Sequence, residues 1–157
     1  MDFFIFKYFK VQMKRFVLLF IFLFLANTVS AHPPCGDFLK LHRKKPKYLE
    51  FIQCKKTQNA QIPVLQAKYR VRGKYASEVE KYLIDMFGMQ PLQHICCIWE
   101  PMLNSEGERY GSLKSGWKGL YYVIDMGADN EPGVDRRADW SKIKYFFVTV
   151  ELLLESP

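Results

Sequence analysis

From Val64 to Arg72 apolar and polar residues alternate without a break. Leu65, Ala67, Tyr69 and Val71 fall on one side, and Gln66, Lys68, Arg70 and Arg72 on the other. That period of two predicts a half-buried strand in an antiparallel sheet. Tyr48 to Lys56 predicts its hairpin partner, with Leu49 and Phe51 on one face, Ile52 and Cys54 on the other, and a turn at Thr57–Ala60. The period then changes. Ala76, Val79, Leu83, Met86 and Phe87 recur at helical spacing, with Glu78, Glu80, Lys81 and Asp85 on the wet side, which predicts a helix over Tyr75–Phe87 capped by Gly88. Cys35 to Arg43 predicts a shorter helix, with Asp37 in its first turn and Phe38, Leu39 and His42 turned inward, ended by the basic run Arg43–Lys47. Leu120–Met126 and Tyr145–Leu154 predict two further strands, the last burying Val148, Val150, Leu152 and Leu154.

The stretch from Gln93 to Pro101 is apolar enough for a central strand. In an extended chain Ile95, Cys97 and Trp99 share one face, and His94, Cys96, Ile98 and Glu100 the other. The adjacent cysteines then point apart. Two separate disulfides are expected, Cys35 and Cys54 each reaching one of Cys96 and Cys97, rather than a bond between neighbours.

In the order helix, strand, strand, helix, strand, strand, strand, most strands follow one another without a crossover helix. That order predicts a single α+β domain: an antiparallel or mixed sheet of about five strands with two helices on one face. Two loops remain. Pro101–Gly119 carries four glycines with Arg109, Tyr110, Lys114 and Trp117, and Gly127–Trp140 carries Asp129, Glu131, Asp135 and Asp139.

The first thirty-one of the 157 residues read differently from the rest. Lys7, Lys10, Lys14 and Arg15 precede the unbroken apolar run Phe16–Leu25, and Val29-Ser30-Ala31 supplies small residues for a peptidase. This predicts a signal peptide cut after Ala31, with Met13 as an alternative start to Met1. The apolar run is about half of the ~20 residues a membrane span needs, so no stable span is expected after cleavage. Residues 32–157 would form the exported domain, periplasmic or secreted.

Export changes the reading of charge and cysteine. The formal charge of the whole chain is +7. Residues 32–74 hold 11 basic against 2 acidic side chains, a net of +9, while residues 75–157 hold 8 against 13, a net of −5. A basic face on the hairpin, Lys55, Lys56, Lys68, Arg70 and Arg72, is the candidate surface for a protein or an anionic envelope partner. Nucleic acid is not expected outside the cell. Four cysteines in an exported domain read as disulfides, and three connectivities are open.

Candidate chemistry is thin. His94 and Cys96 would share a face of an extended strand, but an exported thiol is more readily a disulfide than a nucleophile. Zinc needs paired ligands two to four residues apart, and Cys96 and Cys97 are adjacent. The acidic loop Asp129, Glu131, Asp135, Asp139 lacks EF-hand spacing. Cleavage after Ala31 would make His32 the N-terminal residue, a single point of similarity to copper enzymes with an N-terminal histidine. There is no nucleophile elbow, phosphate-binding glycine loop or zinc-protease helix. No cofactor, metal or catalytic residue is expected.

Cys35-Gly36-Asp37-Phe38-Leu39, then Lys45-Pro46-Lys47-Tyr48-Leu49-Glu50-Phe51 running to Cys54, resemble the opening of a family of small exported bacterial proteins classed as a domain of unknown function. Tyr69-Arg70-Val71-Arg72-Gly73-Lys74, Phe87-Gly88-Met89 and Cys96-Cys97-Ile98-Trp99-Glu100-Pro101 resemble its middle, and Tyr145 to Leu152 its end. The resemblance implies an envelope or secreted location in a Gram-negative bacterium. It brings no activity.

The expectation is therefore an exported binding module, non-enzymatic, that binds another macromolecule, with an immunity or inhibitor protein as one concrete version. The alternative is a small enzyme or ligand-binding protein with a pocket under the 101–119 loop, lined by Trp99, Arg109, Tyr110 and Trp117.

Overall fold

The computed structural model describes residues 33–117, 119–129 and 133–154. The expected signal peptide, His32 and Glu131 lie outside the described residues. Among these residues seven strands form one antiparallel sheet: β1 (Glu50–Asn59), β2 (Ile62–Arg72), β3 (Leu92–Ile95), β4 (Ile98–Pro101), β5 (Gly111–Lys114), β6 (Tyr121–Asp129) and β7 (Tyr145–Leu153). Among the described residues two α-helices accompany them, α1 (Phe38–Leu41) and α2 (Ala76–Phe87), with 3₁₀ turns at Gly73–Tyr75 and Arg137–Lys142. The class is α+β, as the element order predicts. The strand count is higher than the expected five, because two of the stretches read as one strand or as loop each contain more than the alternation reveals.

The sheet order is β1-β2-β7-β6-β4-β3, with β5 also on β6. β7 is its middle. Val64 to Arg72 of β2 pairs along its whole length with Leu153 to Tyr145, and Tyr122 to Gly127 of β6 pairs with Leu152 to Phe147. Phe146, Val148, Val150 and Leu152 are buried on one face of β7, and Leu65, Ala67, Tyr69, Val71, Tyr122, Ile124, Met126 and Ala128 continue that face on its neighbours. Both helices cover it. Phe38 of α1 packs its ring on Tyr122 at 4.9 Å, and the Leu39 N–H donates to the buried Tyr69 hydroxyl at 3.2 Å. α2 buries Ala76, Val79, Leu83 and Phe87 against the same side. Gly88, at φ 73°, ends α2 with its N–H on the Ile84 carbonyl.

The Gln93–Pro101 stretch is not a central strand. It is a tight hairpin at the far edge of the sheet, β3 paired to β4 from Leu92↔Pro101 to Ile95↔Ile98. Cys96 sits at φ 52° and the Cys97 N–H donates to the Ile95 carbonyl at 2.6 Å, so the chain reverses between the cysteines. Side chains alternate between faces only along an extended backbone, and at Cys96 the backbone turns. His94 and Trp99, expected on opposite faces, are cross-strand partners with ring centroids 5.2 Å apart.

The expected disulfide connectivity falls with the extended strand. Cys35 is bonded to Cys54, with Cα atoms 5.5 Å apart. Cys54 lies on β1, at the opposite edge of the sheet from the β3–β4 hairpin, so neither Cys35 nor Cys54 is placed to reach Cys96 or Cys97. A bulge between Phe51 and Gln53 sets Cys54 opposite Ala67, on the helix-covered face where Cys35 arrives. Cys96 and Cys97 are free and exposed.

An ion pair between a buried glutamate and a half-exposed arginine closes the core beside α2. Glu80 is 4% exposed; its carboxylate accepts from the Leu92 backbone N–H at 2.7 Å and from both terminal nitrogens of Arg137. Arg137 also donates to the Leu92 carbonyl and lies over the Trp140 ring. One guanidinium thus ties α2, β3 and the second 3₁₀ turn together. Gly73 is obligatory nearby, because a Cβ there would collide with the backbone oxygens of Trp140 and Ile143.

Candidate functional site

The sheet face away from the helices carries Gln66, Lys68, Arg70 and Arg72 from β2, Phe147, Thr149 and Glu151 from β7, and Val123 and Asp125 from β6. Cross-strand partners share a face, so Asp125 opposite Thr149 and Gln66 opposite Glu151 fix this arrangement. Two adjoining depressions open on it. One, of about 260 Å³, is lined by Ile98, Trp99, Glu100, Asp125, Met126, Gly127, Ala128, Phe147 and Thr149. The other, of about 270 Å³, is lined by Asn59, Gln66, Tyr110, Val123, Asp125, Thr149 and Glu151.

Asp125 and Thr149 belong to both. Burial raises the Asp125 carboxyl to about 6, and the charges of Glu100 and Glu151 push the same way, against Arg109 and a backbone hydrogen bond. Its Oδ1 is buried with no hydrogen-bond partner. The carboxylates around it are already engaged. Glu151 accepts from Asn59 Nδ2 and Gln66 Nε2, each at 2.7 Å, and Glu100 accepts from Arg109 Nη1 at 3.3 Å. Asp125 is the one of the three carboxylates with a buried oxygen lacking a donor. Phe147, 43% exposed, and Ile98, 39% exposed, give the rim an apolar border.

The expected basic face is divided by the strand geometry. Lys55 pairs with Gln66 and shares the uncovered face with Lys68, Arg70 and Arg72; Lys56 pairs with Leu65 and projects to the other side. Arg70 is engaged, its Nε on Glu50 at 2.9 Å and its guanidinium over the Tyr145 ring. Lys55, Lys68 and Arg72 are left as a basic strip on β1–β2, beside the carboxylate-lined centre of the same face.

The four residues expected to line a pocket under the 101–119 stretch, Trp99, Arg109, Tyr110 and Trp117, separate as well. That stretch is not a free loop, since β5 pairs with β6. Trp99 is 4% exposed; its indole N–H donates to the Val134 carbonyl and its ring meets Trp140 edge-on at 5.1 Å. It borders one depression from the core side. Tyr110 lines the other. Arg109 holds Glu100, and Trp117 lies in the Ser115–Leu120 turn, in neither lining.

Among the described residues the histidines, cysteines and loop carboxylates do not assemble a site. Among the described residues no three His, Cys, Asp or Glu side chains are grouped to hold a metal, and no hydrogen bond joins His94 to either neighbouring cysteine. Asp135 and Asp139 pair with Arg136 and Lys142. Alternation alone did not single out Asp125. Its signal was present nonetheless: an aspartate, a poor strand residue, between the apolar Ile124 and Met126.

Residues 25–99 match the model of a family described as a domain of unknown function (DUF4952), in keeping with the uncharacterised family that the cysteine-bearing motifs resemble. No curated protein and no solved structure matches the chain. No helix among the described residues is long and apolar enough to cross a membrane.

Proposed function

We propose that the chain is an exported binding module, not an enzyme, whose uncovered sheet face receives another protein in the bacterial envelope. The observation that carries this reading is the unpartnered buried oxygen of Asp125 in a shallow groove. A buried acceptor without a donor is costly and calls for one. Each depression is open and of a size that one protruding side chain of a partner would fill. A lysine or arginine of the partner would supply the donor, with apolar neighbours against Phe147 and Ile98. Acidic groups of the same partner would meet Lys55, Lys68 and Arg72. An immunity or inhibitor protein acts in this way, by occlusion. The Cys35–Cys54 disulfide supports an oxidising compartment, and with it a periplasmic or secreted location reached through a signal peptide over residues 1–31.

The test is capture from envelope extract at low salt, run with the wild type and with the Asp125→Asn and Phe147→Ala variants. A partner held by the wild type and lost by both variants supports the reading. Equal retention by all three removes this face from it.

A second reading, a small enzyme or ligand-binding protein, is favoured by one feature: the raised Asp125 carboxyl beside Glu100, which sets two carboxyl groups in different environments. It requires a small ligand seated at Asp125 and predicts saturable small-molecule binding abolished by Asp125→Asn.

A further inference from the structure

The tip of the β3–β4 hairpin holds two thiols side by side. Cys96 Sγ and Cys97 Sγ are 2.6 Å apart, and both residues are exposed. A two-residue hairpin turn with positive φ at its first position is ordinarily built with glycine, asparagine or aspartate. Cys96 occupies that position at φ 52°. Conformation alone gives no reason for a cysteine there. The flanking residues are exposed apolar ones, Ile95 at 43% and Ile98 at 39%, so the tip is neither a packed corner nor an ordinary polar turn. The same chain carries the Cys35–Cys54 disulfide, which places it where thiols are oxidised. Two exposed thiols in contact do not stay reduced in such surroundings unless their ring cannot close, and here the sulfurs already meet.

We infer that Cys96 and Cys97 are a redox pair that closes into a disulfide between neighbours at the hairpin tip, by exchange with an external small-molecule or protein disulfide. Cys96 Sγ, as thiolate, attacks one sulfur of the external disulfide, whose S–S bond breaks and releases one thiolate. Cys97 Sγ gives up its proton and attacks the Cys96 sulfur of the mixed disulfide, releasing the second. The protein loses two protons and two electrons, and the external disulfide becomes two thiols. The ring closes across the Cys96–Cys97 peptide bond and holds the turn. Ile98, the next residue, lines the depression at Asp125, so the pair sits at the groove's edge. The inference does not depend on what the groove binds.

The test equilibrates the native full chain in glutathione buffers from reducing to oxidising, quenches in acid, alkylates and maps the peptides. The expected result is complete loss of both alkylation sites at Cys96 and Cys97 toward the oxidising end, with a peptide two hydrogens lighter and no added glutathione, while Cys35–Cys54 stays closed throughout. In the Cys97→Ser variant Cys96 should stop at the mixed disulfide with glutathione. Far-UV circular dichroism checks that this exposed substitution leaves the fold intact. Cysteines that remain fully alkylated in the most oxidising buffer, or that end only as glutathione adducts or links between chains in the wild type, overturn the inference.

Discussion

Asp125 and Thr149 face each other across β6 and β7 and form the floor shared by both depressions on the uncovered side of the sheet. The pairing sets a carboxylate at the centre of a sheet that is otherwise apolar on its other side, and leaves that carboxylate short of a donor. The site is held by register: a slip of one residue would carry Asp125 into the core.

The Asp125 carboxyl is raised to about 6 by burial, from an ordinary 3.8. A raised carboxyl favours folding in its neutral form. That contribution is whole below the unfolded value and is lost as pH rises through about 6. At pH 8 the ionised group costs the fold about 2 kcal/mol after allowing for partial exposure. Asp125→Asn should therefore melt above the wild type at pH 8, with the two converging in acid below the unfolded value. Thermal denaturation at both ends decides it; an Asn variant no more stable at pH 8 removes the argument for a strained carboxylate.

Glu80 is the opposite case, a buried carboxylate fully served by Arg137 and Leu92. Arg137→Met strips the charge partner and leaves the carboxylate buried, a loss of about 3 kcal/mol. Glu80→Gln in the same chain removes the orphaned charge and should recover part of it. Urea denaturation of both single variants and the double variant measures the coupling. Additive losses would mean that the pair is not a unit.

Alternation was the reliable guide wherever the chain is long and one face is covered. Leu65, Ala67, Tyr69 and Val71 are buried as their spacing requires, and Val79, Leu83 and Phe87 likewise on α2. It failed at Cys96, where one residue of positive φ turns the chain and no glycine announces it. It also missed β5, four residues whose pairing with β6 is set by a partner distant in sequence. The Glu80–Arg137 clamp was hidden for a related reason: Glu80 reads as a solvent-facing residue until a guanidinium from another element covers it. The uncovered sheet face was legible as polar positions, but which of them meet across strands depends on the order β2-β7-β6, which no local pattern contains.

Cys35–Cys54 ties the segment ahead of α1 to the edge strand β1 across a sequence separation of 19. A loop of that length stabilises by about 3 kcal/mol in the chain-entropy account. Cys35→Ala with Cys54→Ala should lower the stability by that order in urea, with no reductant present, so that the Cys96–Cys97 tip is not disturbed in the comparison. Little change would show that α1 and Pro33 are held by packing alone.

The β1–β2 hairpin turns at Ala60 and Gln61, at φ 46° and 73°. Positive φ at both central residues is the geometry that asparagine followed by glycine adopts without strain, and alanine does not. A left-handed conformation costs a residue with a Cβ about 1 to 2 kcal/mol. Ala60→Asn with Gln61→Gly should therefore raise stability by about 1 kcal/mol, the greater backbone freedom of unfolded glycine offsetting part of the relief. The turn joins the two strands that carry Lys55 and Lys68, so the same variant leaves the basic strip in place. Urea denaturation at neutral pH reads the gain, and a variant less stable than the wild type would mean that the chain does not turn at these two residues.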